Sequence, residues 1–278
     1  MRIGRITLRR LLCIITAVAV LLAWYCHAAK RQVQAAQYLR LRGAVVAYED
    51  EFRSAPSERR SWLASTLGRD YAFNVIGVQC PGGWSLCDDD CAMLSAFPRL
   101  DYLVVQGEST TNASLKTIGS LKKLTSVSFF RCAITDDGLA SLGDLRNLRS
   151  LDLLDTPVTG LGLVHLKRCT QLERLGLACS KLVPEAFARI GTFSNLRELY
   201  LDWTGATDDC VCLLQGLDRL ERLSLDSNPI TDRCVQYIAC LPQLNSFSAK
   251  DTHLTHEAVH RLKRLRPNLS VYVDSRSK

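Results

Sequence analysis

The stretch that decides the fold of this chain is LTSVSFFRCAITDDGLASLGDLRN, residues 124–147. Its first leucine returns every 24 residues, and the recurring positions are Leu100, Leu124, Leu148, Leu172, Leu196, Leu220 and Leu244. Leu269 follows the last of them one position later than the period requires. A fixed period of this length indicates a solenoid built from stacked copies of one unit.

Each unit joins a short strand to a short helix. The strand pattern Leu-x-x-Val-x-Phe begins at Leu124, and the helix pattern Leu-x-x-Leu-x-x-Leu begins at Leu139. We number the slots of a unit from its first leucine, so slots one, four and six are the apolar strand positions, and slots 16, 19 and 22 are the apolar helix positions. One such unit cannot bury its apolar side alone, so the copies must share a core. The pattern therefore predicts an α/β solenoid.

The motif Leu-x-x-Leu-x-Leu followed by [Ile/Val]-Thr-Asp-x-Gly-Leu-x-x-Leu, taken from Leu124 to Leu142, resembles the cysteine-containing, ribonuclease-inhibitor-like leucine-rich repeats. The resemblance covers about residues 75–278 and implies a curved parallel β-sheet on the concave face with helices on the convex face. It also implies protein binding, without a catalytic residue or a cofactor. With a basic start, one apolar helix and a short cap, the chain resembles membrane-anchored leucine-rich repeat proteins of planctomycete bacteria.

The N-terminus has the composition of a membrane anchor. Residues 1–10 are basic, and residues 11–29 (LLCIITAVAVLLAWYCHAA) carry no charge. At about 1.5 Å per residue this run just spans a hydrocarbon core. We predict an uncleaved, single-pass transmembrane helix. The alternative is a long signal peptide with a weak cleavage site at Cys26-His27-Ala28, although the run exceeds the roughly 7 to 15 residues of a signal h-region. The basic start favours a cytoplasmic N-terminus and repeats on the periplasmic or extracellular side.

The remaining regions follow from composition. Residues 30–43 are predicted to continue the anchor as a polar stalk helix. Residues 44–99 are predicted to form an N-terminal cap with a degenerate first repeat, including a short helix at Ser57–Leu67. Residues 100–278 hold the clear repeats and a closing strand, because solenoids need atypical ends to shield their core.

The net charge of +7 does not indicate nucleic-acid binding. Residues 1–42 carry eight basic and no acidic side chains, which leaves 35 − 8 = 27 basic against 28 acidic side chains in the rest of the chain. The solenoid is therefore near neutral and has no basic stripe that could follow a phosphate backbone.

The twelve cysteines are predicted mostly to be buried free thiols. The repeat places Cys132, Cys169, Cys210 and Cys234 in core slots, where a thiol behaves as a small hydrophobic group. The candidates for a disulfide in the cap are Cys80, Cys87 and Cys91.

Two polar columns recur with the period. Thr135-Asp136, Thr207-Asp208 and Thr231-Asp232 stand where helices begin, and we predict that they cap those helices. Slot nine holds mostly small polar residues, namely Glu108, Cys132, Thr156, Ser180, Thr204, Asn228 and Thr252. We predict that they bind backbone groups where the chain leaves the sheet, because an unpaired buried amide costs about 1 to 3 kcal/mol.

One motif has the form of a zinc site. His256-Glu257-Ala258-Val259-His260 matches H-E-x-x-H, in which two histidines bind the metal and the glutamate polarises water. The repeat explains the same helix without a metal, since Ala258 and Val259 fall in buried slots. A zinc hydrolase needs a third ligand, for which the sequence offers only the nearby His253 and Asp274. We predict neither a metal nor catalysis.

The outward strand slots define the candidate binding surface. Apolar, aromatic and arginine side chains at such positions are typical of interface hot spots. The candidate residues are Phe130, Leu154, Arg174, Glu198, Tyr200, Asp202, Trp203, Arg222 and Asp226. The predicted function is a non-enzymatic, membrane-tethered module that binds a protein partner on the concave face.

An alternative function is a substrate-recognition adaptor for protein degradation. Eukaryotic relatives of this repeat type serve as ubiquitin-ligase receptors, but they carry an F-box, and here an apolar anchor stands at the N-terminus. A zinc hydrolase using His256, Glu257 and His260 is the remote alternative.

Overall fold

A computed structural model describes residues 8–52, 73–82 and 85–274. Its strands form one ten-stranded sheet in which the spatial order follows the chain order. The first two strands are antiparallel, and every later neighbouring pair is parallel. The strands are β1 (Val45–Tyr48), β2 (Val75–Gln79), β3 (Tyr102–Gln106), β4 (Ser126–Phe130), β5 (Ser150–Leu154), β6 (Arg174–Gly176), β7 (Glu198–Tyr200), β8 (Arg222–Ser224), β9 (Ser246–Ser248) and β10 (Ser270–Tyr272).

The strand register repeats the sequence period. Val127 of β4 lies opposite Leu103 of β3 and Leu151 of β5, so each partner is one repeat away along the chain. Equal slots therefore stand side by side across the sheet and form rows with a spacing of about 4.8 Å. The core rows hold the recurring leucines, all fully or nearly fully buried.

Along the chain the helices alternate with the strands, and in space they pack on the side of the core opposite the sheet. The α-helices are α1 (Leu8–Leu41), α2 (Asp88–Ala92), α3 (Asn112–Ser120), α4 (Pro184–Ile190), α5 (Asp208–Cys212), α6 (Val235–Ala239) and α7 (His256–Leu265). The 3₁₀ helices are Glu49–Phe52, Met93–Ala96, Asp136–Leu142, Leu161–Arg168 and Asp232–Cys234. Neighbouring units approach closely here: a Cβ atom on Gly162 would lie 2.4 Å from the Asp136 carbonyl oxygen. This contact explains why slot 15, the position of Gly162, holds only small residues, namely Ser114, Gly138, Gly162, Ala186, Cys210, Cys234 and Ala258.

Slot nine binds backbone carbonyls, as predicted. The hydroxyls of Thr156 and Ser180 both donate to the Leu153 carbonyl, and Thr204 Oγ1 donates to the Leu201 carbonyl at 2.7 Å. Asn228 does more, because its Oδ1 accepts from the backbone N–H of Ala206 while its Nδ2 donates to Leu201. Glu108 is the exception, since it is exposed.

The slot-13 carboxylates bind the following unit, which corrects the prediction that they cap their own helices. Asp136 accepts from Thr159 N at 2.9 Å, Thr159 Oγ1 at 2.7 Å and Gly162 N at 2.6 Å, all in the next unit. The same pairing occurs in Asp88–Thr111, Asp208–Thr231 and Asp232–Thr255, and Asn112 binds Thr135 in a similar way. We call these four pairs, together with Asp136–Thr159, the Asp–Thr ladder.

The threonines of this ladder cap their own helices in part. Thr111, Thr231 and Thr255 accept backbone N–H groups of their own units. Thr135 makes no such bond, and neither does Thr207, which lies outside the ladder. Gly160 and Pro184 occupy slot 13 in two consecutive units. The ladder is therefore interrupted between Thr159 and Thr207.

α1 has two chemically different parts. From Cys13 to Ala28 its side chains are exposed, and the segment Cys13–Leu41 is long and apolar enough to cross a membrane. After Lys30 one side is buried against the cap, through Val33, Ala36 and Leu39. The predicted stalk region is thus packed on the cap along its length.

Asp90 joins α1 to the cap. Its side chain is fully buried and accepts hydrogen bonds from Tyr38 Oη at 2.8 Å, Arg42 Nη2 at 3.2 Å and Cys87 N at 2.9 Å. Burial acts to raise the pKa of Asp90, but these hydrogen bonds prevail and lower it to about 2. The carboxylate is therefore ionised and holds the end of α1 to the first repeat. The predicted helix at Ser57–Leu67 lies outside the described residues.

All twelve cysteines lie within the described residues and are free thiols. Cys132, Cys169, Cys210 and Cys234 are buried, as predicted. Cys80 and Cys91 are buried without forming the disulfide proposed for the cap, and Cys87 is partly exposed. Burial raises the pKa of Cys80 to about 11 and that of Cys91 to about 12, so both thiols stay protonated.

Candidate functional site

The sheet places the nine candidate residues in four neighbouring rows of its concave face. Slot three contains Arg174, Glu198 and Arg222; slot five contains Tyr200; slot seven contains Phe130, Leu154, Asp202 and Asp226; slot eight contains Trp203. The structure separates them into an ionic cluster, an apolar strip at the strand ends, and two carboxylates that are bound within the framework.

The ionic cluster centres on Arg174. Its Nη1 lies 2.8 Å from Glu198 Oε2 and 3.3 Å from Tyr200 Oη, while its Nε lies 3.4 Å from Asp152 Oδ1. Tyr200 Oη donates to Glu198 at 3.0 Å, and the guanidinium carbon of Arg174 lies 4.4 Å from the centre of the Tyr200 ring. Arg222 ends the cluster, with Nη1 at 3.6 Å from Glu198 Oε1. We call these five residues the Arg174 cluster.

For Asp152 and Arg174, burial and ion pairing shift the pKa in opposite directions. The side chain of Asp152 is only 15% exposed, and this burial raises its pKa despite the attraction of Arg174. Burial also acts to lower the pKa of Arg174, but Asp152, Tyr200 and Glu198 raise it on balance. Burial and the hydrogen bond to Glu198 raise the pKa of Tyr200. The tyrosine therefore remains a neutral hydrogen-bond donor.

Asp152 and Gly176 belong to this site, although neither was selected from the sequence. Gly176 stands between Asp152 and Tyr200 in the slot-five row. A Cβ atom at Gly176 would lie 2.3 Å from Asp152 Oδ1, so a larger residue there would displace the carboxylate from its place beside Arg174. A glycine opposite an acid and a tyrosine in one row is the signal that could have revealed this packing.

Trp203 is the most unusual residue of the surface. Slot eight adopts a left-handed backbone conformation in successive units, with Arg131, Asp155, Cys179, Trp203, Ser227 and Asp251 at φ values between 51° and 60°. Small polar residues tolerate this region, whereas a bulky aromatic residue there is a genuine outlier. Trp203 is nevertheless 63% exposed, so core packing does not explain its presence.

An apolar strip follows the carboxyl ends of the strands. Phe130 and Leu154 are register partners, and the N–H of Asp155 donates to the carbonyl of Ala178, which continues the slot-seven row. The guanidinium of Arg131 covers the exposed Phe130 ring at 5.1 Å. Trp203 extends the strip in the adjacent row. Together Phe130, Leu154, Ala178 and Trp203 form what we call the rim strip.

Asp202 and Asp226 serve the framework, which separates them from the other candidates. Asp202 Oδ1 accepts from Asp226 N at 2.9 Å and from the Ser224 hydroxyl. Asp226 Oδ1 accepts from Lys250 N at 2.8 Å and from Ser248 Oγ at 2.6 Å. These carboxylates hold consecutive units together on the concave side.

A groove of about 580 Å³ continues the concave face beyond the Arg174 cluster. Tyr200 and Arg222 bound it at one end and Tyr272 of β10 at the other, and Asn245, Ser246, Asn268 and Ser270 contribute to its walls. Tyr272 was not selected from the sequence, because the closing strand lies outside the regular repeats.

The H-E-x-x-H motif forms an ordinary solenoid helix. His256 begins α7, Thr255 Oγ1 accepts from Ala258 N, and Ala258 and Val259 are buried as the repeat requires. Among the described residues, no group of three histidine, cysteine, aspartate or glutamate side chains is arranged to hold a metal ion.

Comparisons with known proteins agree with this architecture. The model of the leucine-rich repeat family matches residues 120–143. The chain has the leucine-rich repeat fold. No curated protein sequence matches it.

Solved bacterial structures share the leucine-rich repeat fold. Internalin C2 of Listeria monocytogenes superimposes with a TM-score of 0.57 at 18% identity, covering 77% of this chain and 92% of that one. A second internalin of Listeria monocytogenes superimposes with a TM-score of 0.52 at 19% identity, covering 72% of this chain and 61% of that one. A leucine-rich repeat protein of Leptospira interrogans superimposes with a TM-score of 0.50 at 18% identity, covering 65% of this chain and 50% of that one. At these identities the similarity establishes the fold, and the resemblance to planctomycete proteins stays a prediction.

Proposed function

We propose that this leucine-rich repeat protein is a non-enzymatic interaction module, tethered to a membrane by α1, that binds a protein partner on its concave face. The contact surface consists of the Arg174 cluster and the rim strip. The fold supports a protein-binding role, and the choice of surface rests on this chain's own side chains.

The exposed side chain of Trp203 gives the strongest support for this surface. Trp203 is exposed and contributes little to the core, and its slot is left-handed in successive units whatever residue stands there. The repeat therefore accounts for the backbone conformation, and the choice of a tryptophan side chain needs another reason. Tyr200 lies three residues before it, and Arg174 stacks on the Tyr200 ring. Tryptophan, tyrosine and arginine are the residues that dominate binding energy at protein interfaces.

Pre-organisation adds support for this surface. Arg174 and Tyr200 are held by Asp152 and Glu198 before any partner arrives, so little side-chain entropy remains to be lost on binding. The proposed contact surface is therefore both fixed in shape and partly apolar.

The membrane part of the proposal rests on α1. Its exposed apolar half matches the thickness of a hydrocarbon core, while its other half is packed on the cap through Asp90. We place the N-terminus in the cytoplasm and the repeats outside it. A C-terminal fusion to alkaline phosphatase, which is active only after export, tests this orientation: activity is expected, and an inactive fusion at normal abundance contradicts it.

Site-specific crosslinking tests the binding surface. A photoreactive amino acid replaces Trp203 in one variant and Gln236, an exposed residue of α6 on the convex side, in a matched control. Irradiation in the native host should give one dominant protein adduct from position 203 and none from position 236. Adducts of equal yield from both positions, or from position 236 alone, contradict the concave surface.

A further inference from the structure

The groove beyond the Arg174 cluster has an unusual charge distribution. Arg222 is the only charged residue among those that line it. Among the described residues, the acid paired with this guanidinium is Glu198 at 3.6 Å, and Glu198 is already bound by Arg174 at 2.8 Å and by Tyr200 at 3.0 Å. The guanidinium also interacts with the Tyr200 hydroxyl. The Arg222 side chain is 60% exposed. Its guanidinium therefore retains donors that match an additional carboxylate in a bidentate arrangement.

The walls of the groove offer hydrogen bonds that are still unused. Within the described part of the chain, the side chains of Asn245, Ser246 and Asn268 have no hydrogen-bond partner. Ser224 and Ser248 donate their protons to Asp202 and Asp226, which leaves their oxygens able to accept. Amide and hydroxyl groups in this mixture match the alternating N–H and C=O groups of a peptide backbone.

The length of the groove sets the size of its occupant. Tyr200, Ser224, Ser248 and Tyr272 stand side by side in one row of four neighbouring strands. Three strand spacings of about 4.8 Å separate the two tyrosines by about 14 Å, which corresponds to about four residues of extended chain. A single cation is too little for a nucleic acid, whose binding depends on several phosphate contacts.

We propose that this groove binds an extended, acidic segment of the partner protein, with one aspartate or glutamate carboxylate on Arg222 and the flanking backbone on Asn245, Ser246 and Asn268. The inference rests on the proposed function, because it assigns the groove to the same partner. It adds a sequence preference, namely an acidic residue near the Tyr200 end of a segment of about four residues.

An array of immobilised blocked hexapeptides tests this preference with the full-length protein in nanodiscs of neutral phosphatidylcholine. The bound peptides should be enriched in aspartate or glutamate at one position. Arg222→Gln should lower the affinity for an enriched peptide at least tenfold, and Arg222→Glu should shift the preference to lysine or arginine. Arg149→Gln, at an arginine paired with Glu173 outside the groove, is the matched control and should leave the preference unchanged.

Several outcomes overturn the inference. One is the absence of acidic enrichment with the wild-type protein, and another is enrichment that persists in folded Arg222→Gln, as judged by its thermal unfolding. A third is binding of a glucuronic-acid trisaccharide, lost in Arg222→Gln, without peptide enrichment, which identifies an acidic glycan as the occupant. The proposed function fails separately, because it predicts crosslinking from position 203 whatever the peptide preference.

Discussion

Two polar networks connect consecutive units of this solenoid, one on the helix side and one on the concave side. In the Asp–Thr ladder, Asp136 accepts two backbone N–H groups and one hydroxyl of the next unit, and similar pairs recur along the chain. In the Arg174 cluster, side chains bind side chains, and the arrangement of Asp152, Arg174 and Glu198 occurs once among the described residues. The recurring ladder holds the repeats together, whereas the Arg174 cluster, which occurs once, is part of the surface that we propose for a specific partner.

The largest expected effect is the loss of stability when the ladder is cut. Asp136→Ala removes the acceptor of Thr159 N and Gly162 N, and leaving such groups unpaired should lower the free energy of unfolding by about 2 kcal/mol. Urea denaturation measures this loss of stability. Asp137→Ala is the matched control, because Asp137 is exposed beside it and should change stability by less than about 0.5 kcal/mol. Equal losses in the two variants would show that the ladder is not structural.

The two networks should respond differently to acid, and the stabilisation by the ladder should be lost at low pH. Burial alone would raise the pKa of Asp136, but hydrogen bonds from Gly162 and Thr159 lower it on balance, and Asp88 behaves in the same way. Since their folded pKa values lie below the unfolded value of 3.8, their stabilisation is complete above about pH 4 and is lost as the pH falls through the folded values. Asp90, with a pKa of about 2, extends this loss towards pH 2.

Asp152 should act in the opposite direction, because burial raises its folded pKa. Its contribution to stability falls as the pH rises from 3.8 through the folded value. Thermal unfolding between pH 2 and pH 7 should therefore show a smaller acid-induced loss in Asp136→Asn and a larger one in Asp152→Asn than in the wild type. The same acid dependence in both variants would contradict the contrast.

Replacement of Trp203 by glycine should stabilise the protein and abolish binding of the proposed partner. Trp203→Gly relieves a left-handed conformation at an exposed position, so we expect the free energy of unfolding to rise by about 1 kcal/mol. Ser227→Gly makes the same backbone change at the same slot and should leave crosslinking to the partner intact. A marked loss of stability in Trp203→Gly would mean that the tryptophan packs on its neighbours and serves the framework.

The smallest effect is expected at the exposed ion pairs near the strand starts. Arg149 binds Glu173 at 2.7 Å, and both side chains are largely in water. Such pairs contribute little, so Arg149→Ala should change the free energy of unfolding by less than about 0.5 kcal/mol. A loss above about 1 kcal/mol in calorimetry would show that single ion pairs, and not only the recurring ladder, support the fold.

The sequence predicts the recurring features because each is present in several copies. The leucine rows, the small slot 15 and the slot-nine bonds all follow from the 24-residue period. Even there the partner of Asp136 was assigned to the wrong unit, because a cap on its own helix and a bond to the next unit require the same residue type at the same slot.

The single features were harder to predict. Outward slots identified Arg174, Tyr200 and Trp203, but the position of the Asp152 carboxylate depends on the missing side chain of Gly176, two positions away from Arg174. The left-handed conformation at Trp203 could be suspected from the sequence only through Gly107, Asp155, Ser227 and Asp251 at the same slot. Contacts across strands, rather than residue types, define this site.

A comparison of three proteins shows whether the two networks have separate roles. Crosslinking yield to the partner, with a photoreactive residue at Leu154, is measured at 10 °C in wild type, Asp136→Ala and the double variant Tyr200→Ala with Trp203→Ala. We predict an unchanged yield in Asp136→Ala and at least a tenfold loss in the double variant, with its unfolding temperature unchanged within a few degrees. A double variant that keeps the wild-type yield would show that Tyr200 and Trp203 do not contact the partner.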